Sequence, residues 1–102
     1  MIHVIATIDI APGMREDFLA AFAELVPDVR AEQGCIEYGP ATDLATSIAD
    51  QPAAREDVVT VIEKWQSVEA LQKHLEAPHM ARYRRAVKDL VLGVSIRVLE
   101  PA

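Results

Sequence analysis

Cysteine, aromatic residues and positive charge are all scarce in this chain of 102 residues. Its single cysteine cannot form a disulfide within the chain, so nothing in the sequence requires an oxidising compartment. Ten Lys and Arg against sixteen Asp and Glu give a net charge of −6, which argues against a protein that binds the phosphate backbone of nucleic acids. No run reaches the roughly 18 apolar residues of a membrane helix, and the N-terminus lacks the basic flank and unbroken apolar core of a secretory signal. We therefore expect a cytoplasmic protein that binds neither nucleic acid nor membranes.

The common catalytic signatures are missing too. The sequence has no G-x-G-x-x-G dinucleotide loop, no G-x-x-x-x-G-K-[ST] phosphate loop, no G-x-S-x-G elbow and no CxxC pair. His74 and His79 are separated by Pro78 and do not have the i, i+4 spacing of zinc ligands on one helix, so we expect no metal site. Cys35 has no basic neighbour in sequence, and we interpret it as a small buried apolar side chain rather than a nucleophile.

Apolar residues, which make up 51% of the chain, are abundant enough for one folded domain spanning residues 1–102. Their alternation from Ile2 to Ile10 predicts a strand. From Met14 to about Glu32 the period becomes helical, and Gly34 provides a stop. Pro27 predicts a kink or a break near the end of that helix.

The middle of the chain predicts two further strands separated by a long loop. The first runs from Cys35 to about Asp43, and Pro40 within it favours a sheet edge or a bulge. Residues 44–56 have no period and form a loop, long enough to be a flap. Residues 57–65, rich in Val, Ile and Thr, are the most β-like segment.

The last third predicts a helix broken at Pro78 and a final strand. Ser67 is the expected N-cap of a helix that buries Val68, Leu71 and Leu75. The next helix is closed by Gly93 and is followed by a strand over residues 94–99. Its expected buried face carries Met80, Tyr83, Val87 and Leu90.

This order, β-α-β-β-α-β, predicts an α+β fold of the ferredoxin-like class. Its four-stranded antiparallel sheet has the first and third strands at the centre and the helices on one face. The third strand is apolar on both of its sides, with Val59 and Val61 on one and Val58 and Ile62 on the other. Since the helices cover only one face of the sheet, we expect a homodimer that covers the other.

One segment concentrates the residues suited to chemistry. Residues 65–83 hold the only Trp, two of the three His and one of the two Tyr. Two interpretations stand: Trp65 and Tyr83 belong to the core while the histidines lie near the surface, or the segment lines a pocket between helix and sheet.

Four sequence elements resemble a known family. They are GCIEY after the first helix, VIEKW in the third strand, HLEAPHM at the helix break and IRVLEP in the last strand. Together they resemble the antibiotic biosynthesis monooxygenase (ABM) superfamily, and within it the small bacterial quinol monooxygenases. The resemblance implies a dimeric α+β barrel with a pocket between sheet and helices in each subunit. It also implies oxidation without flavin, haem or metal, so no cofactor is expected.

With this resemblance, the residues suggest a cofactor-independent monooxygenase or oxidase of quinols or small polyphenols. A deprotonated quinol can pass electrons to O₂, so the protein must supply an apolar slot, a base and exclusion of water. His74 is the candidate base and His79 the alternative. Glu63 would orient an imidazole if it turns inward, or else be a surface charge. The expected slot is formed by Trp65, Tyr38 and Tyr83.

Two other functions are also compatible with the sequence. One is an isomerase of a small phosphorylated or hydroxyketone metabolite, in which Arg82, Arg84 and Arg85 meet a phosphate, although these arginines are also explained as a solvated helix face. The other is a non-catalytic dimer that binds a small molecule.

Overall fold

The computed structural model describes all residues, 1–102, as a four-stranded antiparallel sheet with three helices. The strand order is β2-β3-β1-β4, so the ferredoxin-like prediction is confirmed, including the central places of β1 and β3 and the edge position of β2. None of the helices has the length and apolar character needed to cross a bilayer. In chain order the elements are β1 (Ile2–Ile10), α1 (Arg15–Arg30), β2 (Cys35–Ala41), β3 (Val58–Trp65), α2 (Val68–Leu75), α3 (Pro78–Val87) and β4 (Val91–Leu99).

The core lies between the helices and one face of the sheet. Alternate residues of β1 and β3 point into it, because successive side chains of a strand lie on opposite faces. Helix α1 meets them with side chains spaced at helical intervals. The buried residues of these three elements are Val4, Ala6, Ile8, Ile10, Phe18, Phe22, Leu25, Val26, Val29, Val59, Val61, Glu63 and Trp65.

Local signals in the sequence fix several boundaries. The Ser67 side chain accepts a hydrogen bond from the backbone N–H of Ala70 at 3.1 Å, so the predicted N-cap is confirmed. Pro78 occupies the first turn of α3, where its missing N–H costs no helical bond. Pro27 does not break α1, which continues to Arg30, because it lies in the final turn and removes only one hydrogen bond.

Two predictions about the last third of the chain are wrong. Gly93 does not close a helix; α3 ends at Val87, and Gly93 lies inside β4 opposite Asp9. The backbone turns earlier, where the Leu90 N–H donates to the Val87 carbonyl at 2.8 Å. Val68, the first residue of α2, is 46% exposed rather than buried.

One row of apolar side chains on β4 is left uncovered. Antiparallel partners share a face of the sheet, so the β4 residues paired with Val4, Ala6 and Ile8 point to the same side as the core. They are nevertheless exposed to the extent of 43–59%. This row consists of Val94, Ile96 and Val98.

Candidate active site

A cavity of about 380 Å³ lies between the sheet and helices α2 and α3. Twelve of its sixteen lining residues are hydrophobic, and the volume lies at the lower end of the range for small-molecule pockets. The cavity therefore suits a small and largely apolar ligand. The four charged or titratable side chains other than tyrosine that line it are Glu63, His74, Arg84 and Lys88.

His74 is a cavity residue held rigidly from behind. It lies in the last turn of α2 and is only 2% exposed. Its ring centroid lies 4.7 Å from that of Trp65 and 5.4 Å from that of Tyr38. The Nδ1 atom lies 2.8 Å from Oε2 of Glu32, whereas Nε2 has no protein partner and reaches the cavity. Burial lowers the pKa of His74, although Glu32 acts in the opposite direction.

Glu63 turns inward from β3 and is 6% exposed, so its interpretation as a surface charge is wrong. Its Oε1 accepts a hydrogen bond from the indole N–H of Trp65 at 2.9 Å. It thus binds Trp65 and does not orient an imidazole. Burial raises the pKa of Glu63 to about 7, against the opposing effect of the Trp65 hydrogen bond.

Both tyrosines of the predicted slot line the cavity. The Tyr38 ring stacks on Phe22 at a centroid distance of 5.6 Å, and Tyr83 meets the same ring edge-on at 5.7 Å. Burial raises the pKa of Tyr83 to about 12 and raises that of Tyr38 as well, so both phenols keep their protons at neutral pH.

Trp65 does not form part of the slot, contrary to the prediction. It is completely buried behind the cavity, because the rings of His74 and Tyr38 cover it. Its contribution is to support His74 through its ring and Glu63 through its indole N–H.

His79 also lies outside the cavity, in the first turn of α3, and joins a cluster that the sequence did not reveal. Its Nε2 lies 2.8 Å from Oε2 of Glu32, the same atom that contacts His74. Glu32 is 42 and 47 positions away from these histidines, and no local sequence pattern marks it. The donor atoms of the three residues lie within 4.8 Å of one another, a spacing that a divalent cation could also bridge. The carboxylate already provides each imidazole with a hydrogen-bond partner.

The basic side chains are divided between the cavity and the outer surface. Of the three clustered arginines, only Arg84 lines the cavity, and its guanidinium donates to the Leu75 carbonyl at 2.9 Å. Arg82 and Arg85 are exposed away from it. Arg84 and Lys88 therefore place positive charge at the cavity without forming a dense phosphate site.

The remaining candidate features lie apart from the cavity. No residue of the loop 44–56 lines it, and an ion pair of 2.8 Å between Asp43 and Arg55 ties the base of this loop. Cys35 is half-buried against the core, and burial raises the pKa of its thiol, as expected for an unreactive side chain.

Fold and cavity together define a small α+β protein with a partly open cavity that is lined mainly by apolar side chains. The family model described as antibiotic biosynthesis monooxygenase matches residues 1–86. The chain belongs to this family.

One relative and two solved structures show which members of the family this chain is similar to. The chain is 43% identical over 103 residues to a protein of Escherichia coli (strain K12) named probable quinol monooxygenase YgiN, covering 99% of this chain and 98% of that protein. Among solved structures, PA3566 from Pseudomonas aeruginosa is 31% identical with a TM-score of 0.80, covering 99% of this chain and 93% of that one. Rv0793 from Mycobacterium tuberculosis is 28% identical with a TM-score of 0.78, covering 99% and 94%. The family and the relative's name support an activity of the monooxygenase type.

Proposed function

We propose that this protein is a cytoplasmic, cofactor-independent monooxygenase or oxidase that acts on quinols or small polyphenols as a homodimer. The observation that carries the proposal is the pairing of an apolar cavity of about 380 Å³ with an imidazole nitrogen and a carboxyl group turned into it. Family membership supports oxygen chemistry, and the cavity supports an aromatic substrate.

The proposed reaction begins with removal of a proton from a substrate hydroxyl by Nε2 of His74. The resulting quinolate is electron-rich enough to reduce O₂ directly. In the oxygenation, one oxygen atom enters the ring and the other leaves as water, so that quinol and O₂ give a hydroxyquinone and H₂O. In the oxidase variant, two electrons and two protons pass to O₂, giving quinone and H₂O₂.

The two buried titratable groups divide the acid and base roles. Burial lowers the pKa of His74, so its imidazole is neutral and able to accept a proton at neutral pH. Burial raises the pKa of Glu63 to about 7, so at neutral pH a large fraction of the molecules carry a protonated carboxyl that can donate to reduced oxygen or to the product oxyanion. Once a second copy closes the cavity on the β4 side, as proposed below, the apolar lining would exclude water, which would otherwise quench the reactive intermediates.

The decisive experiment measures O₂ uptake with a reduced naphthoquinone under conditions in which autoxidation is subtracted. We expect His74→Ala to lower the enzymatic rate by about 10²- to 10⁴-fold, the usual contribution of a general base. His3→Ala is the matched control, because His3 lies on the sheet face opposite the core and outside the cavity, and its rate should be unchanged.

Three results would contradict the oxidase proposal. If O₂ uptake with both the wild type and His74→Ala is no faster than autoxidation, the oxidase proposal has no basis. Thermal stabilisation by aromatic ligands without O₂ uptake identifies a binding protein instead. Conversion of a phosphorylated hydroxyketone without O₂ uptake identifies an isomerase.

The proposed dimer contact lies on β4 at the helix-covered side of the sheet, and not on the opposite face, where the sequence led us to expect it. The exposed row on β4 is an apolar strip next to the cavity, and two of its members, Val94 and Ile96, line the cavity itself. A second copy placed over this strip would bury it and close the cavity on that side.

Analytical ultracentrifugation tests the dimer. Val98 is 48% exposed and does not line the cavity, so Val98→Lys should give a monomer in which no cavity-lining side chain has been changed. Ile48→Lys, at a loop residue that is 66% exposed, should remain a dimer. A wild-type protein that sediments as a monomer at micromolar concentration would refute the proposed dimer.

A further inference from the structure

His74 and His79 share one carboxylate partner, Glu32, on the side of the His74 ring that faces away from the cavity. Oε2 of Glu32 lies 2.8 Å from Nδ1 of His74 and 2.8 Å from Nε2 of His79. The exposed side-chain fraction rises along this row, from 2% at His74 to 13% at Glu32 and 18% at His79. The cluster therefore leads from the wall of the cavity toward the outer surface at α3.

The fold brings these residues together from three separate places. Glu32 follows α1, where its N–H donates to the Val29 carbonyl at 3.0 Å. His74 lies in the last turn of α2, and the break at Pro78 redirects the chain so that His79 faces the same carboxylate from α3. On its outer side, His79 lines a groove of about 290 Å³ that His74 does not reach.

We infer that Glu32 and His79 are positioning residues that fix which nitrogen of His74 carries its proton and set how readily that ring accepts a second one. An ionised carboxylate only accepts hydrogen bonds, so it selects the His74 tautomer with the proton on Nδ1. Neutral imidazole has a single N–H, so this choice leaves the Nε2 lone pair pointing into the cavity, as a base requires.

The groups around His74 act on it with opposite signs. Burial is the largest effect and lowers the pKa of His74; Glu32 raises it, and His79 and Arg84 from α3 lower it. Glu63 of β3 shares the cavity, and the phenols of Tyr38 and Tyr83 beside it stay neutral. Removal of Glu32 and removal of His79 should therefore shift the pKa of His74 in opposite directions.

Nitrogen NMR of the imidazole rings in the intact protein tests this without any substrate. In Glu32→Gln, the proton affinity of His74 should fall by roughly tenfold, as expected for the loss of an adjacent opposite charge, and the population with the proton on Nδ1 should fall with it. In His79→Gln, the proton affinity of His74 should rise by a smaller factor.

Two controls remove a similar group elsewhere. Glu16→Gln removes an exposed carboxylate from the first turn of α1, and His3→Gln removes the third histidine; neither should change the titration or tautomer of His74. Glu32→Asp keeps the carboxylate and should restore the Nδ1 tautomer at least in part. An unchanged tautomer and titration in Glu32→Gln, or shifts of the same sign in both variants, would overturn the inference.

The consequence for turnover rests on the proposed function and is measured separately. Glu32 does not line the cavity, so Glu32→Gln should lower kcat by about 10- to 100-fold, by analogy with carboxylates that orient metal-binding histidines, while KM stays unchanged. The acid limb of the pH profile should move to lower pH in Glu32→Gln and to higher pH in His79→Gln. Absence of O₂ uptake in the wild type would refute the proposed function and leave the NMR result standing.

Discussion

The raised pKa of Glu63 makes the stability of the fold depend on pH in a way that one substitution removes. Below its ordinary pKa of 4.5 the carboxyl is protonated in both folded and unfolded chains. Between pH 4.5 and about 7 the unfolded chain loses this proton while the folded chain retains it, so stability falls as the pH rises. At about 1.36 kcal/mol for each pH unit, the interval amounts to about 3 kcal/mol, and above pH 7 the loss is constant.

Glu63→Gln preserves the shape of the side chain and an oxygen acceptor for the Trp65 indole, but does not titrate. We therefore expect the free energy of unfolding of the variant, minus that of the wild type, to increase by about 3 kcal/mol from pH 4.5 to above pH 7. His74 has the opposite dependence, since its lowered pKa favours folding as pH rises, but it is present in both proteins and cancels in the difference.

Urea unfolding followed by far-ultraviolet circular dichroism measures this difference. The protein concentration is kept fixed, because the stability of a dimer depends on it. Glu16→Gln, which alters an exposed carboxyl group, should show no such pH dependence relative to wild type. A difference between Glu63→Gln and wild type that does not change with pH would refute the assignment of a buried, protonated carboxyl group.

The remaining predictions concern local structure and are read from thermal or urea unfolding. Gly34→Ala should destabilise the fold by more than Gly13→Ala. Both glycines have a positive φ, at +89° and +77°, which costs a substituted residue about 1–3 kcal/mol. Only at Gly34, however, would the new Cβ lie 2.6 Å from Cβ of Ala70. Equal losses would show that the contact with Ala70 relaxes freely. Ser67→Ala should lower the free energy of unfolding by about 1 kcal/mol, because α2 loses its N-cap hydrogen bond. Ser47→Ala in the exposed loop should leave the stability unchanged. Equal effects of the two substitutions would contradict the role of Ser67 as an N-cap.

The order and pairing of the elements could be predicted because their signals are local. Alternation along β1 predicted a strand, and Pro40 favoured an edge or a bulge for β2. The ferredoxin-like order of the elements then gave the central positions of β1 and β3. Ser67 marked a helix start because its side chain bonds a backbone N–H only three residues away. The prediction that Gly93 closes the last helix was wrong because it used only the local pattern of a glycine after a helix. In the structure Gly93 pairs with Asp9 across the sheet.

The candidate site was less predictable because its contacts are long-range. His74 was predicted to flank a pocket, and its position in the cavity follows from the helical pattern of α2. Its carboxylate partner is Glu32, 42 residues earlier, which nothing in the local sequence distinguishes from the other acidic residues. The inward turn of Glu63 was an open alternative, since strand alternation gives the face but not whether an acid on that face finds a partner such as Trp65.

The position of Trp65 provides this protein with an optical reporter of its own site. It is the only tryptophan, so its emission has no competing source. Its indole N–H binds a carboxyl group whose proton exchanges near neutral pH, and its ring lies against the imidazole that faces the cavity. Intrinsic fluorescence should therefore respond both to a ligand entering the cavity and to the protonation state of the groups that would act on it, with no label attached.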